Sequence, residues 1–194
     1  MLAFSFFRWA GLRPLASGLF LLAATSCGAD QATPAKGDVL VSTDFENLAG
    51  WMGTSPNPSL NREEAHSGHY SIKVDGSTEY SVGFSSTLGN LRDVRVRRVR
   101  VRAWVFIPSA EASGLLITQV GNGGGSKPLV WDAFDLVKAV AGNYDEWVEV
   151  NRVVDIPDAA TAATGFGIYL WRNNPSSQPI YLDDLTVTVE APGA

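Results

Sequence analysis

Few residues in this chain could do covalent chemistry. It carries two histidines, His66 and His69, inside the run Ala65-His66-Ser67-Gly68-His69-Tyr70. Their i, i+3 spacing is one that a metal can use, but a zinc site needs at least three protein ligands. No third ligand stands nearby, so the pair reads as part of a solvated turn. There is no Gly-x-Ser-x-Gly elbow and no signalled Ser/His/Asp set, so nothing marks nucleophilic catalysis. The run Gly-Asn-Gly-Gly-Gly at 121–125 lacks the Lys-Ser/Thr of a phosphate-cradling loop and reads as a flexible connection. Carboxylates are plentiful at Glu63, Glu64, Asp132, Asp135, Asp145 and Glu146. A pair of them acting on a glycosidic bond therefore stays open as one reading.

The single cysteine, Cys27, excludes an internal disulfide framework and any cysteine-rich metal or iron–sulfur site. Its position suggests another role. Residues 1–27 contain no acid, two arginines (Arg8 and Arg13) and an apolar run over 15–24 that ends in small residues, the layout of a secretory signal. That run is too short to cross a bilayer, which takes roughly 20 residues. The stretch Ala24-Thr25-Ser26-Cys27-Gly28 resembles the lipobox of bacterial lipoproteins, with Ala24 standing where that motif more often has Leu. The resemblance implies cleavage after residue 26, a lipid on the Cys27 thiol, and export to the cell envelope, at the outer membrane or cell surface. An ordinary signal peptide with a leftover cysteine near the cut is the alternative. On this reading 1–26 is the signal and 27–37 is the lipidated Cys with a small, polar, Pro-containing tether. Residues 38–190 form one domain, and 191–194 are a short tail.

The composition supports a folded domain. Hydrophobic residues make up 45 % and charged residues 18 % of the chain, which excludes disorder throughout. The net charge is −5, and the exported part is two charges more negative because Arg8 and Arg13 leave with the signal. That balance argues against nucleic acid as a partner. From residue 38 onward, short alternating runs are separated by Gly, Pro, Asn and Ser. Strands are expected at 39–45, 70–75, 80–85, 94–107, 115–120, 147–154, 165–171 and 180–189. Residues 129–140 (LVWDAFDLVKAV) fit either a helix or a strand. This pattern predicts an all-β fold, a two-sheet antiparallel β-sandwich of the jelly-roll kind.

The 94–107 run shows which residues share a face. Its apolar positions are even at Val94 and Val96 but odd from Val99 to Ile107, so the phase slips at Arg97-Arg98 through a bulge or a break. Beyond the slip, Arg98, Arg100, Arg102, Trp104 and Phe106 share one face. That face is either a solvated strand surface ending in aromatics under a loop, or a binding face with cations beside an aromatic platform.

Several local motifs, taken in order, resemble the carbohydrate-binding-module jelly rolls of the galactose-binding-domain-like fold. They are Thr43-Asp44-Phe45-Glu46 with Trp51, the run Ala65 to Val74 (AHSGHYSIKV), and Val101 to Pro108 (VRAWVFIP). Ile168-Tyr169-Leu170-Trp171 and Tyr181 to Val187 (YLDDLTV) complete the set. The resemblance spans about 39–190 and implies a jelly roll that binds a polysaccharide or oligosaccharide without cleaving it. It also implies a structural calcium held by Asp44 or Glu46, the backbone around Ser67-Gly68, and Asp183. Calcium takes six to eight oxygen ligands. Asp183 has the parity of Leu185, Val187 and Val189, so it is expected to point inward, where a carboxylate needs a metal or other partners. Capping backbone amides, or meeting Lys73, is the alternative for it.

A sugar offers flat C–H faces ringed by hydroxyls, so its site needs exposed aromatics with polar groups beside them. The candidates are Trp171, Trp51, Trp131, Tyr169 and Trp104, with Arg102, Arg172, Asn173, Asn174 and Gln178 alongside. Trp171 leads, because it ends a strand and runs into Arg172-Asn173-Asn174. Each aromatic has a core role as its alternative. Three function classes follow: glycan binding, a structural or protein-interaction sandwich, and a carbohydrate-active enzyme.

Overall fold

The computed structural model describes residues 39–48, 57–121 and 127–190. Within them, alternation of apolar and polar residues produces the expected sandwich. The strands are β1 (Val39–Thr43), β2 (Leu60–Asn61), β3 (Ser71–Val74), β4 (Phe84–Thr87), β5 (Arg98–Phe106), β6 (Leu115–Val120), β7 (Val130–Asp135), β8 (Trp147–Asp155), β9 (Gly165–Trp171) and β10 (Ile180–Val189). Two one-turn helices, α1 (Leu88–Leu91) and α2 (Leu136–Ala139), complete the elements. One sheet runs β2-β3-β10-β5-β8, with β1 also on β10, and the other runs β4-β9-β6-β7. The strand pairs are antiparallel. The core lies between the sheets. Val99, Val101, Ala103 and Val105 of β5 are buried there, as are Phe166, Ile168 and Leu170 of β9. Burying such side chains is the main force that holds two amphipathic sheets together.

The differences from the sequence reading have local causes. The phase slip at Arg97-Arg98 is a break, since β5 starts at Arg98. The Arg97 carbonyl still accepts the Ile156 amide at 2.8 Å, so the chain stays attached to the sheet. Residues 129–140 divide, giving β7 and then α2, because the Asp135 carboxylate accepts the Lys138 amide at 3.2 Å and caps the helix. In the 80–85 run Tyr80 makes an isolated bridge to β9, opposite Trp171, and regular pairing starts at Phe84. The two-residue β2 and the helix α1 were not expected; neither is long enough to show a period.

Asp183 calls for a correction. It is fully buried, but it does not share the inward face of Leu185 and Val187. It lies opposite Trp104, on the outer side of β5, while Leu182 lies opposite inward Val105. A bulge between Asp183 and Thr186 reverses the phase of β10, with Asp184 in the left-handed region at φ 47°. At that point β10 also changes neighbour, from β3 at Ile180–Leu182 to β1 at Leu185–Thr188.

One open edge of the sandwich is closed by charge. Arg152 of edge strand β8 lies opposite inward Val101, and Asp132 of edge strand β7 lies opposite buried Thr118. The guanidinium grips both oxygens of Asp132 at 2.8–3.2 Å. Inward charges on edge strands also oppose pairing with another chain.

Candidate functional site

The outer face of the second sheet is built around β9. Its sequence places Phe166, Ile168 and Leu170 in the core and therefore Gly165, Gly167, Tyr169 and Trp171 on the opposite face. Across the sheet, Ser85, Gly167, Gln119 and Trp131 form one row, and Tyr169 pairs with Ile117. The result is a groove of about 460 Å³ whose lining includes Tyr80, Ser85, Gln119, Gly167 and Tyr169. None of the described lining residues is charged at neutral pH.

Aromatic rings stand along the groove and beyond its end. Tyr80 and Trp171 are parallel within 2°, with centroids 6.0 Å apart. Trp131 meets Trp171 edge-on at 6.0 Å, and Tyr169 lies 6.2 Å from Tyr80. Tyr80 is 52 % exposed and Trp131 47 % exposed. The Trp171 indole N–H donates to Glu79 Oε1 at 3.2 Å. Desolvation and a hydrogen bond with Glu79 raise the Tyr80 phenol above its ordinary pKa. One carboxylate thus orients both rings.

Of the candidates from sequence, Trp171, Tyr169 and Trp131 come together here. Tyr80 was missed as a site residue; it fell inside an expected strand, and only its bridge to Trp171 reveals its place. Trp104 and Arg102 do not join the groove, because β5 belongs to the other sheet. Trp104 stacks against His66 at 3.9 Å and 12°, and Arg102 pairs with Glu149 at 2.6 Å. Arg98 pairs with Asp155 and Arg100 with Glu190 on the same face, so the cations there are bound to acids of neighbouring strands. Arg172, Asn173, Asn174 and Gln178 follow Trp171 without lining the groove. The Arg172 amide donates to the Glu79 carbonyl, its Nε is buried without a partner, and Asn173 accepts the Ser113 hydroxyl. Trp51 and Cys27 lie outside the described residues.

The turn at 66–70 occupies the gap where β10 changes neighbour. Asp183 accepts the amides of His66 and Ser67 at 2.8 and 3.1 Å through one oxygen, and that of Asp184 at 2.7 Å through the other. Glu46 accepts the amides of His69 and Tyr70 at 2.6 and 2.7 Å. Asp184 takes the Ser67 hydroxyl and meets His66 Nδ1 at 2.6 Å. Burial raises the Asp183 pKa against these amide bonds, whereas the amide of His69 leads the causes that lower Glu46. Gly68 has φ 58°, and a Cβ there would fall 2.5 Å from Glu46 Oε1, so a side chain would strain the backbone and push Glu46 off the amides it holds.

As placed, Asp183 and Glu46 accept backbone amides of the turn and of Asp184. Among the described residues no three His, Cys, Asp or Glu side chains converge on a metal position. Both Asp183 oxygens are committed to amide donors, and Asp44 accepts the Glu46 amide at 3.2 Å. The carboxylates hold the turn by its N–H groups, as charge-assisted hydrogen bonds.

Carboxylates do not face each other across the groove among the described residues. Asp132 is held by Arg152, Glu63 by Lys73 and the Tyr181 hydroxyl, and Asp135 by Lys138.

No family model and no curated protein matches this chain. Solved structures do. The xylan-binding module CBM15 matches with a TM-score of 0.53 and 15 % identity, over 81 % of this chain and 100 % of the module. The CBM22-1 xylan-binding domain of Paenibacillus barcinonensis Xyn10C matches with a TM-score of 0.51 and 21 % identity, over 82 % of this chain and 99 % of the domain. The CBM22-2 xylan-binding domain of the same protein matches with a TM-score of 0.51 and 15 % identity, over 78 % and 99 %. At these identities the likeness is one of fold, and it agrees with the two-sheet jelly roll.

Proposed function

We propose that this chain is an exported, lipid-anchored protein that binds a neutral polysaccharide in the β9 groove and does not cleave it. The observation that carries the reading is the parallel, partly open pair Tyr80 and Trp171 beside an uncharged groove holding Gln119 and Ser85. Aromatic faces take the C–H face of a sugar ring, and the amide and hydroxyl fix its orientation. The xylan-binding neighbours of the same fold support this ligand class and make xylan the first probe. The sequence resemblance to a lipobox supports a lipid at Cys27, with residues 28–37 as the tether that lets the domain reach its ligand.

Calorimetric titration with xylan, then with other neutral polysaccharides, tests the binding. Trp171→Ala is expected to weaken affinity about tenfold or more, the scale of one lost aromatic contact of about 1.4 kcal/mol. Trp104→Ala, on the other sheet, is expected to leave it unchanged. A folded protein that binds no polysaccharide in the panel would overturn the proposal. Loss of fatty-acid labelling in Cys27→Ser tests the anchor separately.

A further inference from the structure

Glycine in the middle of a strand weakens it, through backbone entropy and the missing side chain, and often marks a place where a ligand comes close. Gly167 is such a residue. It sits inside β9 with Ser85 on one side and Gln119 on the other. Its backbone does not need glycine, since its φ lies outside the left-handed region. Its packing does not need glycine either, since an added Cβ would meet only the Phe84 carbonyl at 3.5 Å, an ordinary contact. Gly83 contrasts with it, because a Cβ there would press on Tyr169 and Ile168 at 3.0 and 3.1 Å. A side chain at 167 would rise from the outer face into the groove. The fold therefore gives no reason for glycine at this position, and the groove does.

We infer that Gly167 is a specificity-determining position: its bare backbone is the floor on which one sugar ring of a neutral chain lies flat. The inference rests on the glycan-binding reading of the groove and adds a requirement to it. The ring face toward the floor must be clear of any branch, because a substituent reaching under it would hold the ring off the backbone. A gap of 0.5–1 Å already forfeits roughly a quarter to a half of each dispersion contact. The uncharged lining near Gly167 selects a ligand without acidic groups, and Gln119 beside it supplies a donor and an acceptor.

Gly167→Val and Gly167→Ala, made in the full chain, test this with two readouts. Thermal unfolding is expected to stay level or rise by roughly 1–4 °C, as strand entropy is recovered. Affinity for the polysaccharide that the wild type binds is expected to fall about tenfold for Val and less for Ala. The wild type is expected to bind mixed-linkage β-glucan at least as well as xyloglucan, whose glucan backbone is branched. Variants that fold and bind like the wild type would overturn the role of Gly167 alone. A lower melting temperature in both variants would also overturn it, by making the glycine structural. A wild type that binds neither these glycans nor xylan would instead overturn the reading of the groove.

Discussion

The two outer faces of the sandwich use the same alternation to opposite ends. On the first sheet, Arg98, Arg100 and Arg102 each meet an acid from a neighbouring strand, and Trp104 lies under the His66 turn. On the second, β9 offers glycine and aromatic rings, and no charged side chain lines the groove among the described residues. Cross-strand ion pairs spend their fields on each other and tie strands together, although exposed ones contribute little each. Rings beside a bare backbone leave dispersion surface that only a ligand can cover. The first face therefore serves the fold, and the second is the one we propose for binding.

The largest expected break in this division is at Asp183. Asp183→Ala leaves three backbone amides without their acceptor, at a cost of about 3 kcal/mol. The melting temperature should fall by roughly 6–12 °C in calorimetry, with the affinity of the folded fraction for glycan unchanged. A parallel loss of affinity would show that the two faces are coupled.

Acid gives the next effect. Burial pushes the Asp75 carboxyl up, but hydrogen bonds from Ser77, Thr78 and Lys73 outweigh it and bring the pKa down to about 2. A depressed carboxylate adds stability above its unfolded pKa, and that stability is lost as pH falls from about 4 through 2, on the order of 2 kcal/mol for this group. Glu63 and Glu190, also lowered by their partners Lys73 and Arg100, act in the same direction. Asp183, raised by burial, acts in the opposite one. Chemical denaturation between pH 2 and 6 should show stability falling toward acid. Affinity should be level from pH 5 to 8, because the described lining of the groove has no group that titrates there.

Metal gives the smallest. A calcium site filled to 100 times its Kd would add about 2.7 kcal/mol, or roughly 5–10 °C. With the Asp183 oxygens committed to amides, added calcium or EDTA is expected to move the melting temperature by less than about 1 °C. A calcium-dependent rise of the larger size would overturn the metal-free account of the turn.

Much of the fold was legible because a strand buried on one face must alternate. The 147–154, 165–171 and 180–189 runs show this directly, and β8, β9 and β10 match them to within a residue at each end. The candidate groove was legible in part. Trp171, Tyr169 and Trp131 could be named from sequence as exposed-aromatic candidates, but Trp104 could not be separated from them. Nor could Tyr80 be added, since its strand run is mostly irregular.

The sequence by itself determined the strand content, the inward and outward residues within most strands, and the glycines and aromatics that share a face of β9. These are local, because the side-chain period of two is set by the backbone. Only the tertiary structure decided which strands share a sheet, and so that Trp171 meets Tyr80 and Trp131 while Trp104 lies beneath His66. It also decided that a bulge turns Asp183 outward to hold the 66–70 turn. Pairing partners and bulges depend on contacts between residues far apart in the chain, and no local period records them.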